Sequence, residues 1–134
     1  MNDNEIEKIC PNKIEQQILD KINHVTFNSF HVRFSNKFLI DNYCFLFIYK
    51  IKKEIISVAF LDKTDDNYLI QTVCTLEQYR NNNYATKLIK EIINYCKTKH
   101  ERDKIVLRST PKAINFYKKI GFKLIDKNIM EFYL

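Results

Sequence analysis

The chain has 134 residues, a length that suits one folded domain. With 46% hydrophobic and 13% aromatic residues, but one glycine and two prolines, its composition excludes the disordered, collagen-like and low-complexity classes of protein. The net charge of +6 favours an anionic partner, such as nucleic acid or a phosphorylated cofactor, and is equally that of a lysine-rich solvated surface.

Targeting and redox features of the sequence indicate where the protein works. The longest apolar run, residues 43–49, is far shorter than the roughly 20 residues that cross a bilayer, and the polar, acidic start of the chain does not resemble a secretory signal. The cysteines are widely spaced and form no zinc-ligand pattern. We therefore expect free structural thiols, no metal, no membrane association and a reducing, cytoplasmic location. The cysteines are Cys10, Cys44, Cys74 and Cys96.

In chain order, the first part of the sequence gives the weakest patterns. Apolar residues at helical spacing predict an amphipathic helix over residues 12–23. Residues 24–39 are ambiguous, with a possible short strand over residues 30–34. Aromatic and β-branched runs then predict three strands, which short polar connections join as an antiparallel meander. These strands span residues 43–51, 54–61 and 68–75.

The second half of the sequence predicts a crossover unit. Helical spacing over residues 84–99 precedes a short strand at 105–107, so the flanking strands form a parallel pair with a right-handed connection. A second helix spans residues 111–120, and Gly121 occupies its left-handed C-terminal position. Two closing strands span residues 122–125 and 129–134. The order β-β-β-α-β-α-β-β predicts an α+β fold, in which a mixed, mostly antiparallel sheet has one central parallel pair and helices on both faces.

The junction between the third strand and the long helix carries the most informative chemistry. The first amides of a helix lack intrahelical acceptors and lie at the positive end of its dipole, which suits a phosphate. Asn81, Asn82 and Asn83 tolerate left-handed backbone angles, and Arg80 and Lys87 add positive charge. Two interpretations stay open at this point: an anion site, and an asparagine-rich loop beside a solvated arginine.

Two motifs give the sequence a family resemblance. Arg80 and Ala85 match the first and last positions of an Arg/Gln-x-x-Gly-x-Gly/Ala signature, with Asn83 where glycine is usual. About 30 residues later, positions 113–122 read Ala-Ile-Asn-Phe-Tyr-Lys-Lys-Ile-Gly-Phe and match an Ala-x-x-Phe-Tyr-x-x-x-Gly-Phe pattern, preceded by Thr110 where asparagine is common. On these motifs, residues 43–134 resemble the GNAT superfamily of acyl-CoA-dependent N-acyltransferases.

The resemblance implies an acetyl-CoA site within a GNAT-like fold. The third strand would splay from its parallel neighbour, often at a bulge, and its backbone would pair with the pantetheine arm. The pyrophosphate would lie on the loop amides, within a basic rim formed by Arg80, Lys87, Lys90 and Lys118. The implied cofactor-binding residues are Val73, Cys74, Thr75, Arg80, Asn81, Asn82, Asn83, Tyr84, Ala85, Thr86, Thr110 and Tyr117.

The same resemblance implies direct attack by a primary amine on the thioester in a ternary complex. Tyr117 would donate a proton to the leaving thiolate, since a phenol with a pKa of about 10 is protonated at neutral pH. A backbone N–H near Cys74 would stabilise the oxyanion. Glu77 is the predicted catalytic base, acting through water, with Asp66 as the alternative; both are also interpretable as solvated carboxylates.

Several alternatives remain open from the sequence. The acceptor is a protein amine, a polyamine, an amino sugar or a small metabolite, and the protein is a monomer or a homodimer. A non-catalytic acyl-CoA-binding module is a second hypothesis, because Asn83 and Thr110 replace favoured residues. A small basic nucleic-acid-binding domain is a third, which the charge favours but the absence of an RNA-binding glycine–phenylalanine motif disfavours.

Overall fold

A seven-stranded sheet organises the computed structural model, which describes residues 3–134. Neighbouring strands follow the order β1-β2-β3-β4-β5-β7-β6, and every pair is antiparallel except β4 and β5. The predicted meander and the central parallel pair are therefore confirmed. The strands are β1 (Asn4–Ile9), β2 (Phe45–Ile51), β3 (Glu54–Lys63), β4 (Tyr68–Thr75), β5 (Lys104–Arg108), β6 (Lys123–Asp126) and β7 (Ile129–Tyr133).

Helices cover the sheet on both of its faces. Tyr49 of β2, Ser57 of β3 and Thr75 of β4 are partners in register and share one face, where the Tyr49 ring lies 4.8 Å from that of Tyr84 in α3. Cys74, next to Thr75, faces the opposite side, and its Sγ lies 4.0 Å from the carbonyl oxygen of Val25 in α1. The α-helices are α1 (Gln16–Phe30), α2 (Asn36–Asn42), α3 (Tyr84–Lys99) and α4 (Ile114–Ile120).

The sequence prediction was wrong in the N-terminal region. The helix predicted over residues 12–23 is α1, which begins later and continues to Phe30, and no strand forms over residues 30–34. Instead, His31 ends α1 with a φ of 57°, and the Ser35 hydroxyl accepts a hydrogen bond from the Phe38 N–H at the start of α2. The buried face of α1 continues through Val25 and Thr26, and Thr26 is a polar residue that weakens the apolar pattern.

Strand β1 was not predicted because its sequence lacks an apolar run. It pairs with β2 along Asn4–Ile9, and Lys50 of β2 forms ion pairs with Glu5 and Glu7 across the strands. Cross-strand charge pairs of this kind support an edge strand that hydrophobicity alone does not reveal.

Within residues 3–134, no helix combines the length and the apolar character needed to cross a bilayer.

The second half of the chain follows its prediction closely. Helix α3 has the predicted bounds, and the helix predicted from Pro111 begins as one 3-10 turn, Pro111–Ala113, before α4. Gly121 ends α4 with a φ of 125°, and a Cβ at this position would lie 2.9 Å from the Phe132 ring. Glycine is therefore required at this position both by its backbone angle and by the close approach of β7.

Strands β4 and β5 separate soon after they meet. They pair only at Tyr68–Ile105 and Leu69–Val106. Val58 of β3 then pairs with Cys74 and Phe60 with Gln71, so Thr72 and Val73 together oppose one residue of β3. Thr72 has a φ of 58°, an uncommon angle for a β-branched residue. This bulge bends β4, and the two central strands diverge on either side of a cleft.

Candidate active site

The gap between β4 and β5 is a cavity of about 410 Å³, which we name the strand cleft. Its walls are the second half of β4 and the segment that follows β5, with the ends of α1 and α4 beside them. Seven residues that the sequence predicted for the site line it together: Val73, Cys74, Thr75, Arg80, Ala85, Thr110 and Tyr117.

A second cavity, of about 570 Å³, adjoins the strand cleft, and we name it the loop pocket. It lies between the loop after β4, the first turns of α3 and helix α4. The two cavities share Thr75, Arg80, Ala85 and Phe116, so they form one continuous depression. Predicted residues that line the loop pocket are Thr75, Arg80, Asn81, Asn83, Tyr84, Ala85, Thr86 and Lys90.

The asparagine loop gives α3 an open N-terminus. Asn83 is the N-cap residue with φ 64° and ψ 14°, the left-handed angle that its place in the glycine position requires, and its side chain makes no capping hydrogen bond. Asn81 also has a positive φ, of 65°. The first amides of α3 therefore meet the loop pocket without a side-chain cap from Asn83. An anion there would accept hydrogen bonds from these amides and gain from the helix dipole.

Arg80 ties this loop to the rest of the site. Its Nε donates to the Thr75 carbonyl at 3.0 Å, and its guanidinium reaches the Ser29 hydroxyl of α1 at 3.4 Å. Because Arg80 borders both cavities, its positive charge lies where they join.

Burial controls the chemistry of Tyr117 and Cys74 in the strand cleft. It raises the pKa of the Tyr117 phenol to about 12, and the neighbouring Cys74 thiol contributes in the same direction. Burial likewise raises the pKa of Cys74 to about 12, although Ser29 and Arg80 oppose the shift. Both groups are thus protonated at neutral pH: the phenol can donate a hydrogen bond, and the thiol is weakly nucleophilic.

A buried hydroxyl pair holds the end of β4 in place. Ser57 of β3 donates to the Cys74 carbonyl at 3.0 Å, and its Oγ lies 2.8 Å from that of Thr75. This contact could not be predicted from the sequence, since a serine inside an apolar strand gives no signal of its register partner.

Some predicted residues lie outside both cavities. Asn82 instead closes the loop, since its side-chain amide donates to the carbonyls of Tyr79 (3.3 Å) and Arg80 (3.0 Å). Glu77, in the one-turn helix Glu77–Tyr79, and Asp66, in the turn before β4, are exposed and line neither cavity.

The basic rim differs from its prediction on helix α4. Lys119, rather than Lys118, lines the loop pocket, because it lies one helical turn from Phe116 on the same face. Lys87 is exposed outside both cavities, whereas Lys90 lines the loop pocket as predicted.

The strand cleft also contains residues that sequence reasoning missed. They come from the end of α1, from the bulge of β4 and from the end of β5, three segments that are distant along the chain. Helical spacing of apolar residues beyond residue 23 is the sequence signal that could have extended α1 to Ser29 and Phe30. The missed residues include Ser29, Phe30, Gln71, Thr72, Arg108 and Ser109.

Solved structures with the same fold are numerous, and three illustrate the likeness. The PaiA N-acetyltransferase of Thermoplasma acidophilum, in complex with coenzyme A, aligns with a TM-score of 0.79 and 16% identity over 98% of this chain and 99% of its own. A GNAT family acetyltransferase from Elizabethkingia anophelis with acetyl-CoA bound gives 0.74 and 18% over all of both chains. The Escherichia coli ribosomal-protein-S18-alanine N-acetyltransferase gives 0.76 and 17% over 97% and 93%.

Sequence comparison gives the family. No curated protein sequence matches the chain. The family model of the GNAT acetyltransferase domain, however, matches residues 8–132, nearly the whole sequence and both motifs with it. The chain belongs to the GNAT acetyltransferase family.

Proposed function

We propose that the protein is an N-acetyltransferase, which moves the acetyl group of acetyl-CoA to a primary amine by direct attack in a ternary complex. The observation that carries this proposal is the continuity of the strand cleft with the loop pocket at the open N-terminus of α3. One cavity suits an extended thioester arm and the other suits its diphosphate. Two solved structures with this fold contain coenzyme A or acetyl-CoA.

The loop pocket would bind the anionic end of acetyl-CoA. The amides of residues 81–86 supply donors, and Arg80, Lys90 and Lys119 supply positive charge beside them. The left-handed angles of Asn81 and Asn83 fit this role, since they turn the loop without glycine. Val73, Cys74, Thr75 and Thr110 would hold the pantetheine arm between the two strands, with β4 offering its backbone as a sheet edge.

Tyr117 would act as the general acid. In the reaction, the amine nitrogen forms a bond to the acetyl carbon, the carbon–sulfur bond breaks, and the thiolate of coenzyme A leaves. The buried Tyr117 phenol beside the cleft would donate a hydrogen bond and then its proton to that sulfur, and the phenolate would regain a proton from water once the products leave. A backbone N–H near Cys74 would donate to the oxyanion that forms before the bond breaks.

The proton of the attacking amine needs a separate acceptor. Glu77 remains the proposed base; because its carboxylate lies outside the strand cleft, it would act through water.

We also propose that residues 1–134 form one domain that works in the reducing cytoplasm as a monomer or homodimer. The four free cysteines are in keeping with that location.

Release of coenzyme A thiol from acetyl-CoA in the presence of a panel of primary amines tests the proposal. We expect amine-dependent release by the wild type and a fall in kcat of about 100-fold or more in Tyr117→Phe, since a general acid contributes 10² to 10⁴. Acetyl-CoA affinity should change less than about twofold, because the phenol acts on the leaving group. Tyr95→Phe is the control: it removes the same hydroxyl from a half-buried tyrosine, but Tyr95 lies against Phe45 and Phe47, away from the strand cleft.

The non-catalytic binding module has one structural observation and one experimental outcome that would favour it. Within the described part of the chain, residues 3–134, no carboxylate and no imidazole lines the strand cleft, which is the specific observation in favour of a binding module. Tight acetyl-CoA binding without thiol release across the amine panel would support that module and contradict the transferase.

A further inference from the structure

Arg108 ends β5 at the edge of the strand cleft, with its side chain exposed. Within residues 3–134, no hydrogen bond or ion pair engages its guanidinium. Its neighbour on the same strand face behaves differently: Lys104 forms an ion pair with Glu131 of β7 at 2.8 Å. Arg108 therefore presents an uncompensated positive charge to the cleft.

The strand geometry places Arg108 on the sheet face opposite the loop pocket. Ile105 pairs with Phe132, whose ring lies 5.7 Å from the Nζ of Lys97 in α3, so Ile105 faces α3. Side chains alternate along a strand, so Arg108, at an odd spacing from Ile105, faces the side on which α1 packs. The loop pocket is built on α3 and α4. A second molecule reaching the cleft from the α1 side would meet Arg108 first.

The charged side chains that line the strand cleft are all positive. Of the described residues 3–134, those that line it with a charge are Arg80 and Arg108, and none that line it is Asp or Glu. Arg80 is already engaged by the Thr75 carbonyl and the Ser29 hydroxyl, which leaves Arg108 free for a ligand. The two arginines would repel a polycationic amine, and none of the described residues gives the cleft a carboxylate to bind it.

We propose that the acceptor is a small primary amine that also carries an oxyanion, either a carboxylate or a phosphate, and that Arg108 binds this group. The inference rests on the proposed function and names its substrate class. A guanidinium offers paired donors that match the oxygens of both groups. The exposed ring of Phe30 borders the same cleft and would contact the apolar part of the acceptor. The part of the acceptor that enters the cleft must be small, because about 410 Å³ also has to admit the acetyl end of the thioester.

Matched pairs of amines test the proposal. Alanine is compared with alaninamide, and phosphoethanolamine with ethanolamine. In each pair the acidic amine carries an oxyanion, and its neutral partner carries an uncharged group in the same place. Putrescine is the cationic amine. We expect a kcat/KM at least about tenfold higher for one acidic amine than for its neutral partner, the size of a charge-assisted hydrogen bond. The pair that shows the preference tells whether the oxyanion is a carboxylate or a phosphate.

Variants of Arg108 test whether this residue binds the oxyanion of the acceptor. Arg108→Gln should lower kcat/KM for the acidic amine about tenfold more than for the neutral partner, mainly through KM. Arg108→Lys should recover part of the loss, because the charge returns without the paired donors. Lys13→Gln is the control, since Lys13 is exposed, lines neither cavity and carries the same charge.

The outcomes separate this inference from the proposed function. A preference for putrescine, equal use of each acidic amine and its neutral partner, or no turnover of either acidic amine overturns the inference. Equal losses for both members of a pair in Arg108→Gln do the same. Thiol release with putrescine alone would leave the transferase standing while the inference falls. The wild-type ratio needs no variant, so the test holds even if Arg108→Gln folds poorly.

Discussion

Tyr117 and Cys74 lie side by side in the strand cleft, and burial keeps both protonated at neutral pH. For the phenol, it means a hydroxyl that is protonated and can hydrogen-bond to a leaving thiolate, while the raised pKa makes it a weaker acid than an exposed tyrosine. For the thiol, it means packing rather than nucleophilic attack, as its contact with Val25 of α1 indicates. Burial therefore leaves both groups protonated, and it is the place of Tyr117 in the cleft that gives the phenol a catalytic role in our proposal.

The raised pKa of Tyr117 predicts a loss of stability at alkaline pH. The phenol titrates near pH 10 in the unfolded chain and near 12 in the folded protein, so only the unfolded chain loses this proton between those values. The free energy of unfolding should fall as pH rises from 8 to 11. Tyr117→Phe should make that fall smaller by roughly 1 kcal/mol. Urea unfolding of both proteins at the two pH values measures this difference, and an identical fall would contradict the burial of the phenol.

At the scale of elements, the junction from β4 to α3 carries most of the site. The bulge at Thr72 bends β4 away from β5, and the left-handed Asn83 then starts α3 with open amides. Asn83 occupies the position where the family signature has glycine, and it adopts the angle that glycine would supply. The departure from the signature therefore leaves the loop conformation intact.

Asn83→Ala tests that conclusion. Alanine in the left-handed region costs about 1 kcal/mol, so the variant should be less stable by that amount and should bind acetyl-CoA more weakly as the loop relaxes. Asn83→Gly should match the wild type in both properties, because glycine accepts the angle. Denaturant unfolding and calorimetric titration with acetyl-CoA measure the two effects. Asn94→Ala, on the exposed surface of α3, is the control. Equal behaviour of the alanine and glycine variants at position 83 would count against a role for the backbone angle.

Sequence patterns predicted the elements whose signals are local. Helix α3 has a strong apolar period, the meander has short polar turns, and the motif from Arg80 to Ala85 lies within one junction. Strand β1 and the end of α1 depend on partners elsewhere in the chain, so their local patterns are weak. The same limit applies to the site: Arg108 reaches the cleft only through the register of β5 with its neighbours.

At the scale of the whole molecule, the strand order creates the cleft. Strands β1 to β4 form one antiparallel unit, β5 to β7 form another, and two residue pairs of a parallel ladder join them. The site lies where these units diverge, which is a common place for ligand binding in sheets that contain parallel strands. The net charge of +6, with Arg80, Lys90 and Lys119 beside the loop pocket, would steer an anionic co-substrate toward it.

Thermal unfolding with and without acetyl-CoA tests the central claim most directly. A ligand at 100 times its Kd adds about 2.7 kcal/mol to the free energy of unfolding, which raises the Tm of a chain of this size by several degrees. We predict that rise for the wild type and a smaller one for Asn83→Ala at the same ligand concentration. An unchanged Tm for the wild type at millimolar acetyl-CoA would contradict the assignment of the strand cleft and loop pocket as its binding site.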